Sequence, residues 1–433
     1  MKPTIHATLV LAAACAAAGC ATPDHRSVDP LHARLFTLDA HLDTPVHFGR
    51  PGWDFGARHD PAVDVAQVDL ARMADGSLDG GFFAIYTEQG TLDAAGYAAA
   101  RRHALARSRL IDTTLARHAG RVEVALTAGD ARRLHAQGRL VAFKSIENSY
   151  PLGEDVGALA EFQRQGVRLA GIVHGSANQF ADSSTDTPRW GGLSPLGRDW
   201  VRAMNRLGMV IDASHASDAA VDQMLALSRA PLLLSHSNSR ASHDHPRNLD
   251  DDRIRRIAAG GGAVCASTIY LSALRMGERR AALFDRIEHM AGMSPPEQAA
   301  LGREWAALDA SAPMWNTSFE HYIAALKHLV AVAGIDHVCM GADFDGGGGF
   351  PGLDHVGMLP RVTARLRQDG FTESDLDKLW SGNILRVLQA AEDGAELSSN
   401  VGNLLKVTNR HISVCNRLPC PDNRNIPATP MAQ

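Results

Sequence analysis

The sequence has little that would indicate nucleic acid, cysteine-bound metal or a repeat architecture. Its formal net charge is -5, and no basic stripe or arginine-rich run is present, so no nucleic-acid partner is expected. Its 6 cysteines form no CxxC metal-binding pattern. No internal repeat of about 20–50 residues is visible, which argues against a solenoid or a propeller.

The composition is that of an ordinary globular protein, except that histidine is enriched. The chain is 45% hydrophobic and 21% charged, which is ample material for a core. A length of 433 residues would allow two or three domains, or a single elaborated α/β barrel. The 20 histidines are many for this length, and several of them follow apolar runs.

The N-terminus has the pattern of a targeting segment. Lys2 precedes a short apolar run, Ala7–Ala18, that is too brief to span a bilayer as a helix. Small residues then precede Cys20, as in a bacterial lipobox, although Ala17 occupies the position where leucine is usual. We therefore expect residues 1–20 to be a lipoprotein-type signal peptide, with Cys20 lipidated and the protein held in the bacterial periplasm. Simple secretion into the periplasm is the alternative.

Four further cysteines are expected to be structural. Cys265 and Cys339 lie in apolar strand-like runs and are predicted to be small buried residues rather than ligands. Cys415 and Cys420 lie close together in a tail rich in proline and asparagine, where they could form a disulfide in an oxidising compartment.

Alternating strand and helix patterns predict a (β/α)8 TIM barrel in one catalytic domain. The domain is expected at 35–395, after a linker at 21–34, with a helical insertion within 275–334 and a polar tail at 396–433. The predicted strands are 35–43, 80–87, 139–147, 167–174, 208–214, 232–234, 262–269 and 337–343. The predicted helices outside the insertion are 64–75, 93–118, 159–165, 194–207, 217–229, 254–259, 372–380 and 383–391.

Chemically capable side chains follow these strands, at the edge where parallel α/β proteins place their active sites. The stretch 208–250 is the clearest case, because two strands flanking one helix each end in a histidine. His41 and Asp43 are two residues apart, so both side chains can enter one site. The strand-end set is His41, Asp43, Glu147, His174, His215, His236 and Asp343.

Histidine and carboxylate ligands on rigid strands suit a hydrolytic Zn, Mn, Co or Fe centre. A single strand-end histidine is more often structural, and Glu147 could instead pair with Lys144 on the surface. Residues of this kind at six strand ends together favour a site. Five ligands fit two metals if one carboxylate bridges them, and Glu147 is the best candidate. Lys144, if carbamylated, is a competing bridge, but alternation puts it on the opposite strand face.

The remaining residues fit roles in hydrolysis. Two metals about 4 Å apart would share a hydroxide as nucleophile. Asp343 could then act as proton shuttle, and His174 could steady the tetrahedral oxyanion. Arg247, in the basic loop after His236, could grip a substrate carboxylate with a bidentate pair, although surface arginines are usually only solvated.

These residues lie in motifs that resemble the membrane dipeptidases, also called renal dipeptidases. The resembling stretches include DAHLDTP (39–45), GVRLAGIVH (166–174), GMVIDASHASD (208–218) and HVCMGADFDG (337–346). The most specific is the SHSNSRA…DHPRN run within PLLLSHSNSRASHDHPRNLDDD (231–252).

The resemblance implies a binuclear zinc barrel that hydrolyses dipeptides and tolerates a D-residue on the C-terminal side. It implies that His41, Asp43 and Glu147 hold one zinc, and that Glu147, His215 and His236 hold the other. It assigns the water proton to Asp343, the scissile carbonyl region to His174 and the substrate carboxylate to Arg247. Family members often form homodimers.

The chain departs from the familiar members after Glu147, where Asn148-Ser149-Tyr150-Pro151 replaces Gly-Gly and puts substrate preference in doubt. It carries no apolar C-terminal anchor signal, so any lipid anchor is expected at Cys20. Two rival functions stay open: a two-metal hydrolase of esters, lactones or phosphotriesters, and a periplasmic biosynthetic or binding protein without general dipeptidase activity. A carboxylate clamp at Arg247 would favour the dipeptidase, because a neutral ester needs none.

Overall fold

A parallel sheet curls into a nearly closed barrel within residues 29–395, the part of the chain that this computed structural model describes. Eight strands follow one another around the barrel in the order β1-β2-β4-β5-β6-β7-β8-β9, and the short β3 pairs with β4 off this path. The strands are β1 Leu38–Leu42, β2 Gly80–Tyr86, β3 Val122–Val124, β4 Leu140–Glu147, β5 Val167–Gly171, β6 Val210–Asp212, β7 Leu232–Ser237, β8 Ala263–Ala266 and β9 Val338–Met340.

The barrel closes between its first and last strands just beyond their regular parts. An isolated parallel bridge joins Leu42 to Phe344, and the Asp43 amide donates to the Phe344 carbonyl at 2.9 Å. The Ala342 amide donates to the buried Asp39 carboxylate at 3.1 Å. This closing joint therefore lies at the C-terminal mouth of the barrel.

Helices alternate with the strands and cover the outside of the barrel. They are α1 Leu70–Asp75, α2 Ala94–Arg117, α3 Ala128–Ala136, α4 Ala158–Arg164, α5 Pro195–Leu207, α6 Asp218–Leu227, α7 Asp251–Ala259, α8 Glu278–Glu288, α9 Pro295–Ser311, α10 Phe319–Ala333, α11 Pro360–Gln368, α12 Glu373–Asp377 and α13 Asn383–Asp393. A π-helical turn, Lys378–Gly382, joins α12 to α13. Within residues 29–395, no helix combines the length and the apolar run needed to cross a bilayer.

The predicted (β/α)8 barrel is confirmed, together with its helical insertion between β8 and β9. Helix starts follow the capping residues in the sequence: the Ser217 side chain accepts from the Ala220 amide, and Thr372 forms a capping box with Asp375. The sequence patterns missed β3, α3 and α11. The polar tail at 396–433, with Cys415 and Cys420, lies outside the described residues, as do Cys20 and the rest of the signal segment.

Apolar side chains fill the barrel, so it is a packed core rather than a pore. Phe82 and Phe143 stack with ring centroids 4.6 Å apart, and α13 packs onto the same inner cluster. Cys265 and Cys339 lie opposite each other on β8 and β9, and they form a disulfide. Both cysteines are fully buried, as predicted, but their pairing was not anticipated, because the sequence alone does not give the register of two strands 74 residues apart.

Candidate metal centre at the barrel mouth

The strand-end residues predicted to form the site converge at the C-terminal mouth of the barrel. His41 and Asp43 come from β1 and the residue after it, Glu147 is the last residue of β4, and His236 lies in β7. The other three, His174, His215 and Asp343, each lie three residues beyond the end of a strand. The short turns after β5, β6 and β9 thus keep these side chains at the mouth of the barrel.

Glu147 belongs to two groups of side chains whose ligand atoms lie close enough to hold a metal ion. The first group is His41, Asp43 and Glu147, and the second is Glu147, His215 and His236. Its Oε2 lies 3.5 Å from His41 Nε2, and its Oε1 lies 3.1 Å from His215 Nε2. Each carboxylate oxygen therefore faces a different group, which is the arrangement of a bridging ligand.

Asp343 and His174 flank the two groups. Asp343 Oδ1 lies 3.8 Å from His41 Nε2, and Asp343 joins His41 and His236 in a third cluster of ligand atoms. His174 Nε2 lies 3.6 Å from Glu147 Oε1, and its ring is 4.2 Å from that of His215. Both side chains therefore border the same small volume as the ligand atoms.

A hydrogen-bond relay beneath His236 fixes which ring nitrogen faces the site. The Ser235 hydroxyl donates to Asp212 Oδ2, so its oxygen accepts from His236 Nδ1 at 2.8 Å. With Nδ1 protonated, His236 Nε2 presents its lone pair towards His215 Nε2, 2.9 Å away. Partners that orient an imidazole in this way are typical of metal ligands.

The electrostatics of the cluster favour a cation. Burial opposes the protonation of His41, yet the charges of Asp43 and Glu147 raise its pKa well above the usual value. Burial also raises the pKa of Asp343 well above its usual range, and Asp43 and Glu147 add to this effect. Asp43 Oδ1 is buried without a hydrogen-bond partner, so it has a free lone pair for a metal ion.

The residues present fit a metal centre, which would take imidazole and carboxylate ligands. The backbone accepts strain to build it: His215 has φ 68° and Asp343 has φ 64°, a left-handed conformation that costs non-glycine residues about 1–3 kcal/mol each. Gly346 is required beside it, because a Cβ there would lie 2.0 Å from Asp43 Oδ2.

Lys144 takes no part in this centre. Its ammonium donates to both Asp112 oxygens, at 2.8 and 2.9 Å, and to the Ser108 hydroxyl on α2. The surface pair between Glu147 and Lys144 is therefore not formed, and Lys144 lies on the opposite face of β4, as alternation predicts.

Arg247 lies beside the centre but is almost fully enclosed, with 3% of its surface exposed. It donates to the His236 carbonyl at 3.3 Å, and its Nε has no hydrogen-bond partner. Its guanidinium lies 5.7 Å from the centre of the Tyr270 ring, which faces the cavity. Burial lowers the pKa of Arg247. The unpaired Nε donor beside the metal centre suits Arg247 to binding an anionic group.

The cavity in front of the centre has a volume of about 300 Å³ and includes residues that the strand-end pattern did not identify. One wall comes from the insertion and its flanks and is mostly apolar: Ile269, Tyr270, Leu274, Met276, Phe284, Met314 and Trp315. Arg107 and Glu288 also line it. Strand-end reasoning misses these residues because they lie on helices or in the insertion. The long insertion between β8 and β9 nevertheless indicated that additional residues cover the mouth of the barrel.

The decisive comparison is a match to a protein-family model. The family model described as "Membrane dipeptidase (Peptidase family M19)" matches residues 25–401. The chain belongs to the membrane dipeptidase family.

Two fungal proteins named as dipeptidases are similar along most of the chain. Dipeptidase tcpJ of Claviceps purpurea (strain 20.1) is 30% identical over 367 residues, which are 82% of this chain and 77% of that protein. Dipeptidase verJ of Clonostachys rogersoniana is 28% identical, covering 82% and 84%.

Solved M19 structures share the fold. The probable dipeptidase PvdM from Pseudomonas aeruginosa superposes with a TM-score of 0.72 at 29% identity, covering 84% of this chain and 97% of that one. A Rhodobacter sphaeroides metallopeptidase, liganded with a phosphinate mimic of the dipeptide L-Ala-D-Ala, has a TM-score of 0.65 at 27% identity, covering 82% and 99%. The predicted family is therefore confirmed, and the chain is a metallo-dipeptidase with a metal cofactor.

Proposed function

We propose that this metallo-dipeptidase uses two zinc ions, with Mn²⁺ or Co²⁺ as substitutes. In this proposal one ion binds His41, Asp43 and Glu147, and the other binds Glu147, His215 and His236. The observation that carries it is the position of Glu147, whose two oxygens face different ligand groups. When bound, two such ions would lower the pKa of a shared water and polarise the scissile carbonyl.

The protein's own residues would then carry the proton and orient the substrate. Asp343 takes the proton of the attacking water and delivers it to the leaving amine, and its raised pKa suits a proton acceptor. Burial lowers the pKa of His174, so this imidazole is neutral and can donate a hydrogen bond to the developing oxyanion. Arg247 binds the C-terminal carboxylate of the dipeptide through its free donors.

We extend the proposal to dipeptides with a C-terminal D-residue. The Rhodobacter sphaeroides relative with its L-Ala-D-Ala mimic supports this extension. Metal analysis combined with turnover of L-Ala-D-Ala and L-Ala-L-Ala tests both parts. Two zinc ions per chain, and loss of turnover when a chelator removes them, are expected. Fewer than about two metals per chain in active enzyme, or activity that survives metal removal, would contradict the mechanism.

We also propose that the protein is exported to the periplasm and anchored through a lipid on Cys20. The buried Cys265–Cys339 disulfide supports export, because disulfides persist in oxidising compartments. Mass spectrometry of the mature N-terminus tests the anchor: a diacylglyceryl modification on Cys20 is expected, and Cys20→Ser should release the protein from membranes. An unmodified N-terminus at another residue would contradict it. A homodimer stays a prediction.

A further inference from the structure

Two charged side chains line the active-site cavity without a role in the chemistry described above. Glu288 lies on α8, one helical turn after Phe284, so both side chains face the cavity. Arg107 reaches the same cavity from α2, and its guanidinium donates to the Pro45 carbonyl in the turn after Asp43. The metal centre, Arg107 and Glu288 therefore share one cavity.

The carboxylate of Glu288 is available to a ligand. It has no hydrogen bond or ion pair within 4 Å among residues 29–395. Glu288 lines the cavity and remains accessible to solvent. Partial desolvation and the charge of Asp43 raise its pKa to about 7, while Arg107 favours the ionised form. Glu288 is thus a carboxylate with unfilled acceptor positions and an unfavourable electrostatic environment, which a cation would relieve.

The positions of the two arginines define a direction along the cavity. Arg247 packs against Tyr270, whose ring lies 5.2 Å from that of Trp315. Arg107 lies on the side of the first ligand group, because it donates to the Pro45 carbonyl in the turn after Asp43, and Glu288 lines the same cavity. A dipeptide held by its C-terminal carboxylate at Arg247 therefore directs its N-terminal residue towards Glu288.

We propose that Glu288 is a specificity-determining residue that accepts the ammonium group of the substrate's N-terminal residue. This inference rests on the proposed function, because the direction of the dipeptide follows from Arg247. An ammonium group offers three donors, which can fill the free acceptor positions of the Glu288 carboxylate. The ammonium comes either from the α-amino group or from a basic side chain of that residue.

The test compares Glu288→Gln with wild type on substrates that differ in this ammonium. L-Ala-D-Ala carries the α-ammonium, propionyl-D-Ala lacks it, and L-Lys-D-Ala adds a second one on the side chain. Asp285→Asn is the matched control, since it removes an exposed carboxylate from the same helix outside the cavity. All proteins are compared at equal metal content.

Glu288→Gln is expected to lower kcat/KM for L-Ala-D-Ala by about tenfold, mainly through KM, and to leave propionyl-D-Ala unchanged. Asp285→Asn should change neither substrate. A loss confined to L-Lys-D-Ala would assign the contact to the side-chain ammonium instead. Equal losses on all three substrates, or no loss on any of them, would overturn the proposal.

A binding measurement separates this inference from the proposed function. Calorimetry with a phosphinate mimic of L-Ala-D-Ala and with its deamino analogue needs no turnover. Wild type should bind the amino form about tenfold more tightly, and Glu288→Gln should remove that preference. Selective binding without hydrolysis of any dipeptide would refute the proposed function and leave this inference standing. Equal affinity of wild type for both mimics would refute the contact with the α-ammonium, and together with an unchanged kcat/KM for L-Lys-D-Ala in Glu288→Gln it would refute the inference.

Discussion

Removing the disulfide inside the barrel should cost much of the stability of the fold. The Cys265–Cys339 bond closes a loop of 74 residues that contains the whole insertion. In the chain-entropy description, opening a loop of that length costs about 4.5 kcal/mol, and measured values for disulfides are typically about 2–4 kcal/mol. The double variant Cys265→Ala with Cys339→Ala is therefore expected to lose about 2–4 kcal/mol of unfolding free energy, which is a large share of a typical domain's total.

Urea unfolding of the double variant, of wild type, and of wild type with a reducing agent measures this loss. Reduced wild type and the double variant should unfold at similarly low urea concentrations. As the control, the reducing agent should leave the midpoint of the double variant nearly unchanged. If peptide mapping of the unreduced protein finds Cys265 and Cys339 as free thiols, or if the double variant unfolds at the wild-type midpoint, the reasoning is refuted.

Three further predictions concern the metal centre. Glu147→Gln replaces one bridging oxygen by an amide nitrogen that cannot bind metal. Metal analysis should therefore find at most one ion per chain, and dipeptide turnover should be lost; two retained ions would contradict the bridging role of Glu147. Arg247→Met should lower kcat/KM for a dipeptide by about 100-fold, because the lost charge-assisted pair is worth about 2–5 kcal/mol. It should leave kcat/KM for the matching dipeptide amide unchanged, and equal losses on both substrates would argue against a carboxylate clamp. Lys144→Met should keep the wild-type metal content, since Lys144 binds Asp112, and a missing ion would instead favour a carbamylated bridge.

The metal centre could be predicted from the sequence because active-site residues of parallel α/β proteins lie at the carboxyl ends of their strands. Parallel strands bring their carboxyl ends to one edge, so His41, Glu147 and His236 could be expected together although about 100 residues separate each from the next. Residues just beyond the strands, such as His215 and Asp343, were also within reach of this rule, because a short turn cannot carry them far.

Features that depend on long-range packing were not predictable in this way. Glu288 reaches the cavity only because α8 folds back across the mouth, and no local pattern fixes that path. The pairing of Cys265 with Cys339 depends on strand register, which the hydrophobic pattern of a buried strand leaves open. The short β3 carries too few apolar residues to be distinguished from a loop.

The contact that closes the barrel also predicts where the fold weakens when metal is removed. The first and last strands meet through the Leu42–Phe344 bridge, directly beside Asp43 and Asp343. A metal ion bound by Asp43 would therefore also stabilise the contact between the first and last strands of the sheet. Removal of metal by a chelator should then destabilise the Leu42–Phe344 bridge before the rest of the barrel. Amide hydrogen exchange at Asp43 should accordingly become faster before exchange within β4 does.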